Sequence, residues 1–232
     1  MNILGIDTTT KSASCSVLYN NNYYTNSVSN EITHSEKLLP IIDKTLNEAN
    51  LNLDNIDLFA TINGPGSFTG IRIGLATIKA FSQVKDIDIF SISSIDLISY
   101  VAFKKSNEQE KYILSLIDAK NNRVYYGLNK LYKTDDNKIT IEKILDVNNE
   151  LIEDVVKNIS QKDILIAGNC INNFKDILSS IPSKQYDLYP TTEDLIDCYL
   201  NLADTKKYMY NAYDLDALYA RPSQAERMSN NG

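Results

Sequence analysis

Apolar and polar positions alternate along the chain with two periods, and each predicts a different element. A period of two predicts strands at 3–7, at 13–19 with Ala13, Cys15 and Val17 on one face, and at 23–28. Asn20-Asn21-Asn22 joins the last two, and asparagine tolerates left-handed turn conformations. Helical spacing takes over at 35–50, followed by a strand at 58–63, a glycine-rich turn, a helix at 68–84, a short strand at 87–91 and a helix at 94–106. The order then restarts. Strands are expected at 112–118, 123–132 and 138–145, a helix at 149–159, a strand at 163–167, a helix at 171–180 and a last helix at 192–208.

Both halves thus run strand, strand, strand, helix, strand, helix. They also begin alike, GIDTTTKSASCSVL against LIDAKNNRVYYGLN. The charged run KKSNEQEK at 104–111 marks the expected boundary, giving halves of 1–106 and 107–232. Two such halves define an α/β fold of duplicated ribonuclease-H-like units, the actin, sugar-kinase and heat-shock ATPase architecture. A single unduplicated α/β domain is the alternative.

On a wheel of 100° per residue, Leu38, Leu39, Ile41, Ile42, Leu46 and Ala49 span about 160° of the first helix, wider than the ~100° stripe that packs on one sheet. The helix at 68–84 is apolar nearly all round, with Arg72, Lys79 and Gln83 as a narrow polar strip. Such helices are buried on two sides. Gly70 and Gly74 share a face of the second, each costing about 1 kcal/mol relative to alanine. Close approach of another backbone compensates for that, either within this chain's own core or from a partner helix. The expected contact set, a partner interface, is Leu38, Ile41, Ile42, Thr45, Gly70, Ile71, Gly74, Thr77, Ile78 and Phe81.

Composition narrows the chemistry. The chain has 232 residues, 43% hydrophobic and 23% charged, which is ordinary for a globular protein. A formal charge of −7 argues against a stand-alone nucleic-acid binder, since phosphate affinity comes from Lys and Arg. Cys15, Cys170 and Cys198 form no cluster and suit a reducing compartment. The N-terminus lacks a signal-peptide pattern, and the uncharged stretch around the glycine turn is broken by Asn63, Gly-Pro-Gly and Arg72, too short an apolar run for a membrane span. A cytoplasmic protein with no membrane role is expected.

Four of the eight glycines lie in GPGSFTGIRIG, at 64–74. This turn lacks the Gly-Lys-Ser/Thr ending of a P-loop, and Thr69 takes the third-glycine place of GxGxxG. GIDTTT is the better phosphate candidate: Asp7, Thr8 and Thr9 would be a phosphate-binding turn or its vestige, with an ordinary strand-end turn as the alternative. His34 is the single histidine, so neither a two-histidine metal site nor a second base can be built; a helix start with a Thr33 or Ser35 cap accounts for its segment.

MNILGIDTTT, THSEKLLPII and above all GPGSFTGIRIGLATIKAF resemble the bacterial TsaB (YeaZ) family, and IDAKNNRVYYG and LYARPSQAE extend the likeness through the second half. Lys120 and Asn121 depart from the family's two arginines, and Ala217 from its proline. The resemblance implies a non-catalytic subunit for making threonylcarbamoyladenosine beside the tRNA anticodon. The family acts with a larger metal-containing paralogue, TsaD, and an ATPase, TsaE, and self-associates when alone. tRNA would be met only through the complex. No cofactor is expected in the isolated chain, and no metal or catalytic residue; ATP or ADP has a place within the complex. The segment around His34 resembles the start of the paralogue's two-histidine motif. The rivals are a small kinase binding ATP between its halves, which ATP titration would expose, and a structural homodimer without a tRNA role.

Overall fold

The expected duplication is present as one strand order used twice. In the computed structural model, which describes residues 1–29, 34–159 and 163–220, the chain forms two compact units. One holds 1–97 with 190–217, and the other holds 98–189 with 218–220.

The first unit is built on β1 (Ile3–Asp7), β2 (Ser12–Tyr19), β3 (Asn22–Ser29), β4 (Leu58–Ile62), β5 (Ile89–Ile92) and β11 (Met209–Tyr210). Their order is β11-β5-β4-β1-β2-β3. β1 is antiparallel to β2 and parallel to β4, with Ile6 opposite both Cys15 and Thr61. All five β1 residues are buried, as a central strand covered on both faces requires. On one face, α1 (His34–Glu48) and α2 (Phe68–Lys85) bury Leu38, Ile42, Ile71 and Ile78 against Leu4, Ile6 and Phe59. On the other lies α6 (Thr192–Asn201), whose capping box at Thr191 and Asp194 closes its N-terminus. Thr192 shares a buried hydroxyl contact of 2.5 Å with Ser16 of β2.

The second unit repeats the plan with β6 (Glu110–Asp118), β7 (Arg123–Lys133), β8 (Ile139–Leu151), β9 (Ile164–Gly168) and β10 (Lys184–Asp187), ordered β10-β9-β6-β7-β8. The chain enters it within α3 (Ser94–Ser106), where Ser99 bonds Ser115 of β6 at 2.8 Å and receives Asn129 Nδ2 of β7 at 3.0 Å. α4 (Ile152–Asn158) and the one-turn α5 (Lys175–Leu178) cover the opposite face through Ile152, Val155 and Leu178.

Several expectations change. The helix expected from 149 begins at Ile152, because 149–151 continue β8 in register with Arg123–Tyr125. The helix expected over 171–180 is a 3-10 turn, Asn172–Phe174, followed by four helical residues. The last helix stops at Asn201 rather than near 208, since Leu202 turns extended and Tyr208 packs edge-on to Phe90. With α6 and β11, residues 190–217 build the first unit although they were expected in the second. β10 and β11 have no counterpart in the sequence reading.

Candidate functional site

The GIDTTT turn folds back on itself. Asp7 Oδ1 accepts the Thr9 backbone N–H and the Thr9 hydroxyl, both at 2.7 Å. Such a carboxylate bond two residues onward is the local chemistry that makes aspartate a turn former. Asp7, Thr8 and Thr9 are all buried.

The GPGSFTG turn closes over them from the other side. The Ser67 N–H donates to the Thr9 carbonyl at 2.7 Å, and Thr8 Oγ1 donates to the Gly70 carbonyl at 2.7 Å. Ser67 also caps α2, accepting the Gly70 N–H at 3.2 Å. A Cβ on Gly70 would lie 1.8 Å from the Thr8 carbonyl oxygen, and one on Gly74 2.4 Å from Thr8 Oγ1. The two glycines therefore admit this chain's own turn. The expectation that they mark the closest approach of a partner helix is corrected: of its two readings, packing within the chain accounts for both.

Other members of the expected contact set move inward with them. Leu38, Ile42, Thr45, Ile71 and Ile78 are at most 2% exposed, because α1 and α2 turn these positions onto β1, β2 and β4. Ile41, Thr77 and Phe81 keep partial exposure.

What α2 leaves to solvent is another arc. Thr69, Ala76, Ala80 and Val84 are exposed, Val84 by 86%, and Ile73 and Thr77 flank them half-buried. No charge interrupts this stripe. Leu39 of the adjoining α1 is 54% exposed. The sequence reading missed Leu39, Ala76, Ala80 and Val84: a helix apolar nearly all round does not say which side its own fold will cover.

The polar edge of α2 is engaged by a strap, residues 209–217. Lys79 Nζ donates to the Leu215 carbonyl at 2.7 Å, and Gln83 Nε2 to the Tyr213 hydroxyl at 3.0 Å. Leu215 is fully buried in the α1–α2 core. Asn63 Nδ2 reaches the Asp216 carbonyl at 3.4 Å.

In the second unit, the turn after β6 uses Asp118 in the Asp7 position. Its Oδ1 accepts the Lys120 N–H at 2.8 Å, and its Oδ2 pairs with Lys120 Nζ at 2.9 Å. Lys120, Asn121 and Asn122 are all left-handed, a conformation that asparagine adopts more readily than most residues, and Lys120 and Asn121 stand where two arginines are usual in the resembled family. The thiols are remote from nucleophilic chemistry. All three are buried, and burial pushes the Cys15 and Cys170 thiols up to about 12. His34 opens α1, but its side chain lies outside the described residues. Among the described residues, no group of three or more His, Cys, Asp or Glu is gathered to hold a metal, and no helix is long and apolar enough to cross a membrane.

Comparison with known proteins extends this picture. The family described as TsaD: tRNA N6-adenosine threonylcarbamoyltransferase matches residues 28–195. The tRNA threonylcarbamoyladenosine biosynthesis protein TsaB of Buchnera aphidicola subsp. Schizaphis graminum is 32% identical over 198 residues, 84% of this chain and 90% of that protein. TsaB of Haemophilus influenzae is 31% identical over 127 residues, 55% of this chain and 53% of its own. The solved structure of YeaZ from Pseudomonas aeruginosa superposes with a TM-score of 0.74 at 21% identity, covering 94% of this chain and 99% of that one, and carries the fold. With the duplicated strand order and the interlocked GIDTTT and GPGSFTG turns, these matches show that the chain belongs to the TsaB (YeaZ) family, within the wider group recognised by the TsaD model.

Proposed function

We propose that this chain is the non-catalytic partner subunit in threonylcarbamoyl transfer to the adenosine beside the tRNA anticodon. It acts in the cytoplasm by docking on the larger catalytic paralogue, TsaD, with the ATPase TsaE joining the pair. The observation that carries the reading is the outer face of α2. Thr69, Ile73, Ala76, Thr77, Ala80 and Val84 form an uncharged stripe along a helix whose inner face is fixed to the Asp7 turn. Contiguous apolar surface of this kind marks an interaction site. The names of the related proteins supply the pathway, and the paralogue's own family model matches this chain.

The kinase reading is not favoured. Asp7, the acid it would use to position a metal, holds the Thr9 amide and hydroxyl, and Thr8 is committed to Gly70. In this reading nucleotide has a place within the complex, and the isolated chain needs none. When the paralogue is absent, the same α2 face serves self-association.

Ala80→Arg tests the reading. Ala80 is exposed, so the protein should melt as the parent does, while an unpaired guanidinium in a dry contact costs several kcal/mol. Retention on immobilised TsaD should be lost, and unchanged retention would reject the docking face. Purified chain given threonylcarbamoyl-adenylate and unmodified tRNA should leave the tRNA unchanged; transfer without the larger subunit would reject the non-catalytic role.

A further inference from the structure

The outer face of α2 is too small to dock alone. Its 18 residues make a rod about 27 Å long, and a helix offers a strip roughly 10 Å wide. The resulting ~270 Å² is a third of the ~800 Å² that each partner buries in a standard interface. The contact must spread to a neighbouring element. α1 offers Leu39 and Pro40 near its start but otherwise exposes Glu36, Lys37, Asp43, Lys44, Asn47 and Glu48. On the Lys79–Gln83 edge the neighbour is the strap, and there the surface changes character.

Tyr213 is 76% exposed yet held at both ends. Its hydroxyl accepts Gln83 Nε2 at 3.0 Å, and its backbone N–H donates to Asn211 Oδ1 at 2.7 Å. The Asp214 N–H donates to the same oxygen at 3.0 Å, and buried Leu215 anchors the next residue. A large ring fixed before binding loses little entropy when a partner covers it, which is what makes tyrosine effective at interface centres. Around it, the strap sequence MYNAYDLDA carries two acids and no base, with Asp214 and Asp216 both exposed.

We infer that Tyr213 and the acidic strap around it complete the docking surface of α2, fitting an apolar notch rimmed by Lys or Arg on the catalytic subunit. This rests on the docking reading above. A second copy is the poorer occupant: its own strap brings two further acids and no base.

The test uses the full chain and full-length TsaD, with association and dissociation rates measured at low and high salt. Tyr213→Ala should weaken binding by about 10- to 100-fold, chiefly through faster dissociation, while Tyr213→Phe, which keeps the ring but loses the Gln83 hold, falls between the two. Asp216→Lys should slow association at low salt and have little effect at about 1 M salt, where the screening length falls to about 3 Å. It reads the charge arm independently should Tyr213→Ala perturb folding. Parent-like binding by both Tyr213→Ala and Asp216→Lys, with Ala80→Arg inactive, overturns the strap inference and leaves the docking reading standing. Full binding by Ala80→Arg overturns the docking reading itself. If Tyr213→Ala abolishes self-association on a sizing column but not TsaD binding, the occupant is a second copy and the inference is overturned.

Discussion

The two units share one strand order but differ in the helix that follows the fourth strand. After β4 the chain makes the 18-residue α2; after β9 it makes a 3-10 turn and the four-residue α5. The helix after the third strand shrinks likewise, from 15 residues in α1 to seven in α4. The sheets need comparable cover, and the second unit obtains it with short helices that bury Ile152, Val155 and Leu178 inward. The long α2 supplies more surface than its sheet can use, and the surplus is the uncharged outer stripe. Duplication preserved the scaffold in both units and kept the long helix after the fourth strand in only one.

The same comparison explains the glycines. In each unit, a glycine after or at the end of the fourth strand admits backbone from the first. Gly70 faces the Thr8 carbonyl, and Gly168, at φ 156°, would set a Cβ 1.8 Å from the Leu116 carbonyl. Alanine at either should be the most damaging of the changes considered, because a backbone oxygen cannot step aside as a side chain can. We expect a loss of more than about 3 kcal/mol for Gly70→Ala and for Gly168→Ala, read as the denaturant midpoint. Parent-like stability for one of them would show that the two units do not share the device.

Gly74→Ala sharpens that contrast, since its obstacle is only the Thr8 hydroxyl. It should cost about 1–3 kcal/mol alone. Much of that should be recovered in the Thr8→Ala background, giving a coupling of at least about 0.5 kcal/mol in a double-mutant cycle. Additive effects would remove Thr8 as the reason for the glycine.

The smallest effect near neutral pH concerns two buried thiols with a raised pKa, Cys15 in the first unit and Cys170 in the second. A thiol whose folded pKa is raised contributes fully below the unfolded value near 8.5 and loses that contribution as pH rises toward about 12. Stability should fall above pH 8.5 by up to about 1.4 kcal/mol per pH unit for each such thiol. Cys15→Ala and Cys170→Ala should each flatten that slope, and equal slopes in all three proteins would contradict the burial. At pH 8 a disulfide reagent should find no reactive thiol until denaturant is added.

Local pattern was enough to read the duplication, most strands and the ends of α2, because alternation, helical spacing and Gly-Pro-Gly act within a few residues. The kinship with TsaB proteins was legible for the same reason, in contiguous motifs such as GPGSFTGIRIG. The direction in which α2 faces was not. Its apolar residues surround it, and only packing against β1 and the Asp7 turn selected Gly70, Ile71, Gly74 and Ile78 as the inner side, leaving Ala76, Ala80 and Val84 outside. Nor could local pattern place α6 and the strap. Residues 190–217 follow the second unit in the chain but cover the sheet of the first, through Ser16–Thr192, Phe90–Tyr208 and Lys79–Leu215. Those contacts link residues more than a hundred positions apart, so they arise from the shape of surface left uncovered once the sheets have formed.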